Sequence, residues 1–442
     1  MPLYRDTVTV GYSDYLRTYG VEPIVRFNEA LLARGLWCLF MISPLIFLCN
    51  KLSVDYRYPS SLFLCAGMYM IVKASIQSRN SALLCMDSKS VVVWCMLVMW
   101  SVYTVARGIT FDRFAIQIWG IRIYAWAWVV PVCMLLGVSL SSWIRVLRLV
   151  VTATMLGVPL WMLMRLLGKN TDLGLTSAAP LALVFGNYLP KISKLVLWLG
   201  AFACMYLYVL SSERNLLIGN GLLILMSLYI FALLPGHTRS LRILIVISAA
   251  LLLAVLVYYV WVSDNIVGVN ERAQVRIAEF KETLFENSRY GENHSLYRDF
   301  LTDVRGLDFL IGRGCQGTYL GFIGNEMGWK YRREIECGYF HIILKGGIVL
   351  LALILTLAVP AVYLGLIYSR NWFTRGCAII VLVRLIEMAP FGLPSADPRY
   401  VIFWLAVGAC LSPQLRGMSE YDMACSFSIL RPPLMDDKGK RL

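Results

Sequence analysis

Five arginines, a histidine and a glutamate carry most of the chemistry this sequence offers. Arg214 stands in VLSSERNLLIG, Arg289 and Arg298 flank GENHSLY, Arg313 lies in IGRGCQG, and Arg399 precedes a last apolar run. A guanidinium presents a planar fork of N–H donors that grips two oxyanion oxygens at once, so such a set suits a pyrophosphate. His341 lies in ECGYFHIILKGG, five residues after Glu336 and four before Lys345. On a helix His341 and Lys345 share a face. An imidazole titrates near neutrality and suits proton transfer, while Glu336 would either compete as the base or orient the histidine. Taken singly, an arginine here reads as an interfacial residue meeting lipid phosphate, and His341 as a polar anchor at the end of a membrane span.

The glycines at 312, 314 and 317 spell G-x-G-x-x-G. A dinucleotide fingerprint also needs a preceding strand, a following helix and an acidic residue about twenty positions on, and that context is missing. The segment therefore reads as turns. Its glycines would let backbone N–H groups approach an anionic head group, with Arg313 between them. The twelve cysteines form no CxxC or Cys/His cluster, so neither a metal nor a cofactor is expected. Cys315 and Cys337 share one polar interval and would pair if it faced an oxidising compartment.

The elements that must position these residues are membrane helices. Hydrophobic residues make up 59% of the chain and charged ones 15%, where a soluble domain carries about 25% charge. Mean hydropathy is +0.66. The net charge of +14 suggests nucleic acid at first sight, but the basic residues sit in short links between apolar runs, as the positive-inside bias requires. The fold class expected is an all-α polytopic membrane protein with about twelve transmembrane helices and one large exterior loop containing short helices.

Residues 1–34 read as a cytoplasmic leader, with an amphipathic stretch from Pro23 to Arg34 and no cleavable signal peptide. Helices one to nine fall within 35–262, at 35–50, 60–77, 90–106, 122–140, 146–168, 177–190, 194–211, 215–234 and 241–262. The polar loop is 263–338, helices ten to twelve occupy 339–413, and 414–442 is a cytoplasmic tail. The span at 177–190 is the weakest, being short and containing Pro180 and Gly186. Arg384 and Glu387, three apart inside a span, read as an intrahelical ion pair. An even number of spans puts both termini on the basic, cytoplasmic side and the loop outside. Positive charge on the outer face runs against that bias, which is why the arginines weigh more together than singly.

This arrangement resembles the O-antigen polymerase and O-antigen ligase superfamily. SSERNLLIG is similar to its small-residue-plus-arginine signature at the outer end of a span. IGRGCQGTY is similar to its G-x-G segment late in the loop, and ECGYFHIILKGGIVLLALIL to its entry into the next span. The resemblance implies a GT-C-like fold and a bacterial inner-membrane glycosyltransferase acting on the outer leaflet, with an undecaprenyl-diphosphate-linked oligosaccharide as donor and no metal or cofactor. It implies Arg214, Arg289, Arg298 and Arg313 on the diphosphate, with the loop backbone at Gly312, Gly314 and Gly317, and His341 or Glu336 on the acceptor hydroxyl. The function expected is a repeat-unit polymerase for O-antigen or exopolysaccharide, with a chain-length regulator and a flippase of the same pathway as further partners. Alternatives are the ligase, which moves finished glycan to a lipid A core, and a transporter or flippase of lipid-linked glycan. Ligases commonly carry His-Asn where this chain has His341-Ile342.

Overall fold

The computed structural model describes residues 28–53, 55–109, 119–120, 122–166, 175, 177–210, 220–221, 223–225, 227, 299–321, 331–335, 337–389 and 392–428. They are overwhelmingly helical, and five of their helices are long and apolar enough to cross a membrane. These are α1 (Glu29–Lys51), α2 (Arg57–Gln77), a stretch of Ser88–Ala106, a stretch of Leu140–Leu166, and Gly338–Ile367. The protein is a membrane-embedded helical bundle. In chain order α3 is Arg79–Leu84 and α4 is Ser88–Ala106. Next come two single turns, α5 (Trp126–Val129) and α6 (Met134–Gly137), joined by a 3-10 turn at Val130–Cys133. Then follow α7 (Leu140–Leu166), α8 (Ala179–Leu183), α9 (Lys191–Leu210), α10 (Leu307–Ile311), α11 (Gly338–Ile367), α12 (Trp372–Met388), α13 (Pro398–Leu411), α14 (Pro413–Gly417) and α15 (Glu420–Ser428). One two-residue antiparallel pair, Tyr319–Leu320 with Tyr331–Arg332, lies before α11.

Short polar residues start the long helices. The side chains of Asn28, Asp87, Asn371 and Asp397 each accept a hydrogen bond from a backbone N–H of the first turn, satisfying a donor that the helix itself cannot. Glycines let neighbouring helices close up. A Cβ on Gly35 would lie 2.7 Å from the Gly67 carbonyl oxygen, and one on Gly408 would lie 2.0 Å from that of Met134. In a membrane, where apolar burial no longer separates helix from lipid, such close backbone contact supplies the packing. Proline inside α1 (Pro44), α7 (Pro159) and α11 (Pro360) is tolerated because neighbouring groups can re-satisfy the freed carbonyls. Large apolar side chains such as Leu62, Met99, Leu199 and Ile367 remain on the exterior, as a lipid-facing surface requires.

Contacts fix which ends lie together. Arg145 pairs with Glu29 at 2.9 Å, Trp143 packs edge-on to Phe373, Tyr188 donates to Glu420 at 2.6 Å, and the Arg370 N–H donates to the Arg416 carbonyl. The start of α1, the links before α7, α9 and α12, and the helices after α13 thus share one end of the bundle. At the opposite end Arg107 donates to the Gly312 carbonyl, the Ala396 N–H to that of Arg122, and Gly338 abuts Gly392.

The span expected at 177–190 takes another form. Only Ala179–Leu183 is α-helical, followed by a 3-10 turn at Gly186–Tyr188. Five helical residues cover about 7 Å, far short of a bilayer core of about 30 Å. Its Ala179 packs at mid-bundle against Gly200 and its Tyr188 reaches the Glu420 end, so the chain does travel along the bundle here, as a buried irregular segment. Irregular backbone at this depth is tolerated where protein surrounds it. The segment read at 122–140 is likewise interrupted by its 3-10 turn.

The core of the bundle is α11. In its apolar stretch 61% of residues are buried, against 33% for α1. This central helix is broken. Gly347 has φ 74° and ψ 179°, which divides it into Gly338–Gly346 and a longer C-terminal part.

Candidate functional site

The site is built around that break. A continuous helix would bond the carbonyls of Leu344, Lys345 and Gly346 to N–H groups four residues on, and the turn at Gly347 removes those partners. Three donors from elsewhere replace them. The Arg313 N–H bonds the Leu344 carbonyl at 2.8 Å, the Gly314 N–H bonds that of Lys345 at 2.9 Å, and Trp100 Nε1 bonds that of Gly346 at 2.7 Å. The glycine loop after α10 therefore plugs the helix break.

Its glycines answer to this contact. Gly312 and Gly314 have φ of 74° and 81°, in the left-handed region where L side chains are strained. A Cβ on Gly312 would also meet the Lys345 carbonyl oxygen at 2.4 Å. Three further backbone donors of the loop also stay inside the protein. Gly312 N–H bonds the Asp308 carbonyl, Cys315 N–H that of Thr104, and Gly317 N–H that of Gly314. These N–H groups face protein carbonyls where the sequence suggested an anionic head group.

Arg313 is engaged in the same way. Its Nη1 donates to Asp303 Oδ2 at 2.6 Å and to the Thr318 carbonyl, its Nε to Asp308 Oδ2 at 2.8 Å, and its Nη2 to the Asp303 carbonyl. Burial alone would raise the Asp303 carboxyl, but hydrogen bonds from Arg313 and from the Leu320 N–H outweigh it and leave it below the usual carboxylate range. A carboxyl whose folded pKa is depressed adds stability above its unfolded value of about 3.9, and that stability is lost as pH falls through the folded pKa. Proteolytic protection of the 299–321 loop should therefore drop on acidification below about pH 4. Arg313→Ala should lower it at neutral pH by about 2 kcal/mol, a partly exposed pair being worth less than a buried one. Unchanged protection in Arg313→Ala would count against this.

Lys345 is fully buried next to the plug. Its Nζ donates to the carbonyls of Gly317 and Arg333, both at 2.8 Å, and lies 5.1 Å from the centre of the Tyr124 ring. Tyr124 in turn donates to Glu334 at 3.0 Å. One turn earlier on the same helix is His341, also fully buried and stacked on Trp128 with ring centres 6.1 Å apart at 15°. Neither ring nitrogen of His341 has a hydrogen-bond partner among the described residues. Every neutral imidazole carries one N–H donor and one acceptor, so two polar positions face into the bundle unused. The shared face of His341 and Lys345 follows from their spacing as expected.

Arg384 and Glu387 of α12 form the anticipated i,i+3 pair, 2.9 Å apart and almost fully buried. They line a narrow gap of about 10 Å³, room for about one water molecule, with Arg399, Asn220, Leu181, Leu223, Ile380, Val383 and Phe403. The two halves of this region touch. Tyr339 donates to the Leu385 carbonyl at 2.6 Å, and a Cβ on Gly338 would meet the Gly392 carbonyl oxygen.

Of the residues singled out from sequence, His341, Arg313, Arg399, Gly312, Gly314 and Gly317 gather at this end of the bundle. Arg214, Arg289, Arg298 and Glu336 lie outside the described residues, as do most of the loop read at 263–338 before residue 299 and the spans at 215–234 and 241–262, save a few isolated positions. Cys315 and Cys337 are free thiols directed at different carbonyls, those of Val105 and Met388, and the pairing that an oxidising compartment would allow is not formed. Burial pushes the Cys315 thiol up to about 11, although Lys345 pulls the other way. Sequence reasoning did not single out Trp100, Tyr124, Trp128, Asn220 or Glu334. Glu334 shares the YRREIEC run with Glu336, and Trp128 ends an aromatic YAWAW, but nothing in the chain announces Trp100 as a carbonyl cap. No protein family, curated protein or solved structure matches the chain.

Proposed function

We propose that the chain is a membrane glycosyltransferase of the polysaccharide-polymerase type. It would move a growing glycan from undecaprenyl diphosphate onto another lipid-linked repeat unit at the outer leaflet. The observation that carries this reading is His341. Its two ring nitrogens, unpartnered among the described residues, lie inside the bundle, at the head of a broken helix and under a loop. A buried polar group without partners costs about 1–3 kcal/mol, so one that is retained calls for an explanation, and a catalytic role supplies one.

In the proposed reaction an acceptor hydroxyl attacks the anomeric carbon of the donor. The new glycosidic bond forms as the bond from that carbon to the diphosphate oxygen breaks, and the leaving group departs with the electron pair. His341 receives or orients the proton of the attacking hydroxyl, with Glu336 as the other group within five residues. Arg214, Arg289 and Arg298 hold the diphosphate and stabilise the charge it gains. Arg313, occupied by two carboxylates, keeps a positioning role.

The finer topology belongs to the same proposal: about twelve crossings of a bacterial inner membrane, both termini cytoplasmic, and the loop outside. Its support is the charge at the two ends. Arg79, Lys89, Arg145, Arg148, Lys191, Lys194, Arg370, Arg375 and Arg416 fall in the links that share the end holding Glu29 and Glu420, while basic and acidic residues mix at the other. Replacing Arg214, Arg289 or Arg298 with alanine should abolish long-chain glycan on a gel while the protein stays in the membrane. Normal chain length in all three variants would sink the diphosphate clamp. Polymer accumulating on undecaprenyl diphosphate in a deletion strain would mean ligase instead.

A further inference from the structure

The basic end of the bundle holds three arginines that no acid answers. Arg370 lies in the link between α11 and α12, Arg375 is the fourth residue of α12, and Arg416 lies in α14. Hydrogen bonds gather these elements. The Arg370 N–H donates to the Arg416 carbonyl at 2.9 Å, and Asn371 Nδ2 donates to the carbonyls of Leu415 at 2.8 Å and Met418 at 3.0 Å. None of the three arginines forms an ion pair among the described residues. The acidic residues at the start of α15 are engaged with other groups. Glu420 accepts from the Trp372 N–H at 2.8 Å and from Tyr188, and Asp422 accepts from the Ser419 hydroxyl at 2.6 Å.

Arg375 and Arg416 are part-buried, which makes an unanswered charge costly. Arg375 Nη2 donates to the Ser369 carbonyl at 3.2 Å, and the Nε of each arginine is enclosed without a partner among the described residues. The donors left to meet an anion from outside are Arg375 Nη1 and the two Nη atoms of Arg416. The aromatic residues around them indicate where that anion comes from. Tyr368 follows α11, more than half exposed and edge-on to Tyr363 at 5.5 Å, and the Arg375 guanidinium lies 4.9 Å from the centre of the Trp372 ring. Tyrosine and tryptophan collect where membrane helices meet the headgroup layer, so these arginines stand at the depth of lipid phosphate. A headgroup lies against the outside of a bundle and needs no internal cavity. The Cβ side of Gly417, next to Arg416, is open to it.

We propose that the α11–α12 link, the start of α12 and α14 form a binding site for an anionic phospholipid, whose phosphate is held by Arg375 and Arg416 with the exposed Arg370 at the rim. Guanidinium groups suit this ligand because their paired N–H donors match two phosphate oxygens, and basic surfaces between membrane helices take anionic headgroups on the same ground. The site lies at the end of the bundle away from Arg313 and His341, so it does not rest on the function proposed above.

The test is native mass spectrometry of the purified full chain in dodecyl maltoside, a detergent without phosphate, with phosphatidylglycerol or phosphatidylcholine added. Phosphatidylglycerol should stay bound in preference to phosphatidylcholine, whose own cation competes for its phosphate. Arg375→Gln and Arg416→Gln should each weaken that binding by about ten-fold, the size of one charge-assisted hydrogen bond. Arg79→Gln, which removes the same charge from an exposed position at the same end, should leave it unchanged. A thermal melt identifies a variant that fails to fold. Arg375→Lys or Arg416→Lys then replaces it, keeping the charge but losing the fork, with weakening of about three-fold expected. Inorganic phosphate, added without lipid to a thermal melt at matched ionic strength, separates the free anion from the headgroup. Stabilisation by inorganic phosphate without retention of phosphatidylglycerol would overturn the lipid assignment. So would equal binding of the two lipids, or binding unchanged in every folded arginine variant. An equal loss in Arg79→Gln would also overturn it, because diffuse attraction to a basic surface would then account for the binding.

Discussion

His341→Ala should leave the protein in the membrane at its normal level and abolish glycan extension, a fall of about 10²–10⁴-fold in rate for loss of a proton-transfer group. The structural side of this expectation rests on what the ring does in the resting protein. It makes no hydrogen bond among the described residues, so alanine breaks none. Removing two unpartnered polar atoms from a fully buried position relieves a desolvation cost of about 1–3 kcal/mol. The lost stacking on Trp128 and the cavity left behind act in the opposite direction with a similar size. The two largely cancel, and the melting temperature should move by only a few degrees. A histidine kept for packing would behave otherwise, because then His341→Phe would sustain both stability and activity. The measurement is a glycan ladder beside a thermal melt for His341→Ala, His341→Gln and His341→Phe. Full-length ladders in any of the three would refute the assignment.

The parts of the fold that depend on nearby residues were legible in the sequence. Arg384 and Glu387 pair because three residues of helix bring them together. The shared face of His341 and Lys345 is legible for the same reason. The break in α11 was not, because a Gly-Gly pair inside an apolar run is common in unbroken membrane helices. The purpose of the glycine loop was hidden with it. Its partners are carbonyls of Leu344 and Lys345 that accept from outside only once the helix is broken, so no local pattern could point to them. Asn220 is further removed, more than a hundred and fifty residues from Arg384 in the chain, and only folding puts the two on one gap. Segment 177–190 misleads for a different reason. Its apolar content is that of a buried segment, and burial in protein and burial in lipid select the same residue types.

Gly347→Ala should have a large structural effect for a single added methyl group. The backbone there, at φ 74° and ψ 179°, lies in a region that is essentially glycine's alone and costs other residues about 1–3 kcal/mol. The new Cβ would also stand 2.1 Å from the Leu310 carbonyl oxygen, and that atom is backbone in a short helix, with no rotamer to move it away. Overpacking of this kind adds about 1–3 kcal/mol more. The chain has one way out, which is to let α11 run on as a continuous helix through residue 347. The carbonyls of Leu344, Lys345 and Gly346 would then turn to the N–H groups four residues on, and Arg313, Gly314 and Trp100 would lose their acceptors. Either route expels the 306–317 loop from the bundle, and with it the carbonyl of Gly317 that receives Lys345. The expected result is a protein with nearly unchanged helical circular dichroism, rapid tryptic cleavage after Arg305 and Arg313, and no glycan extension. Gly312→Ala attacks the same contact from the other side, at the Lys345 carbonyl, and should give the same pattern. Gly417→Ala, with no heavy atom within 4 Å of the added Cβ, should change nothing. If Gly347→Ala and Gly312→Ala kept the loop as protease-resistant as Gly417→Ala does, the plugged break would not be what holds this end of the bundle together.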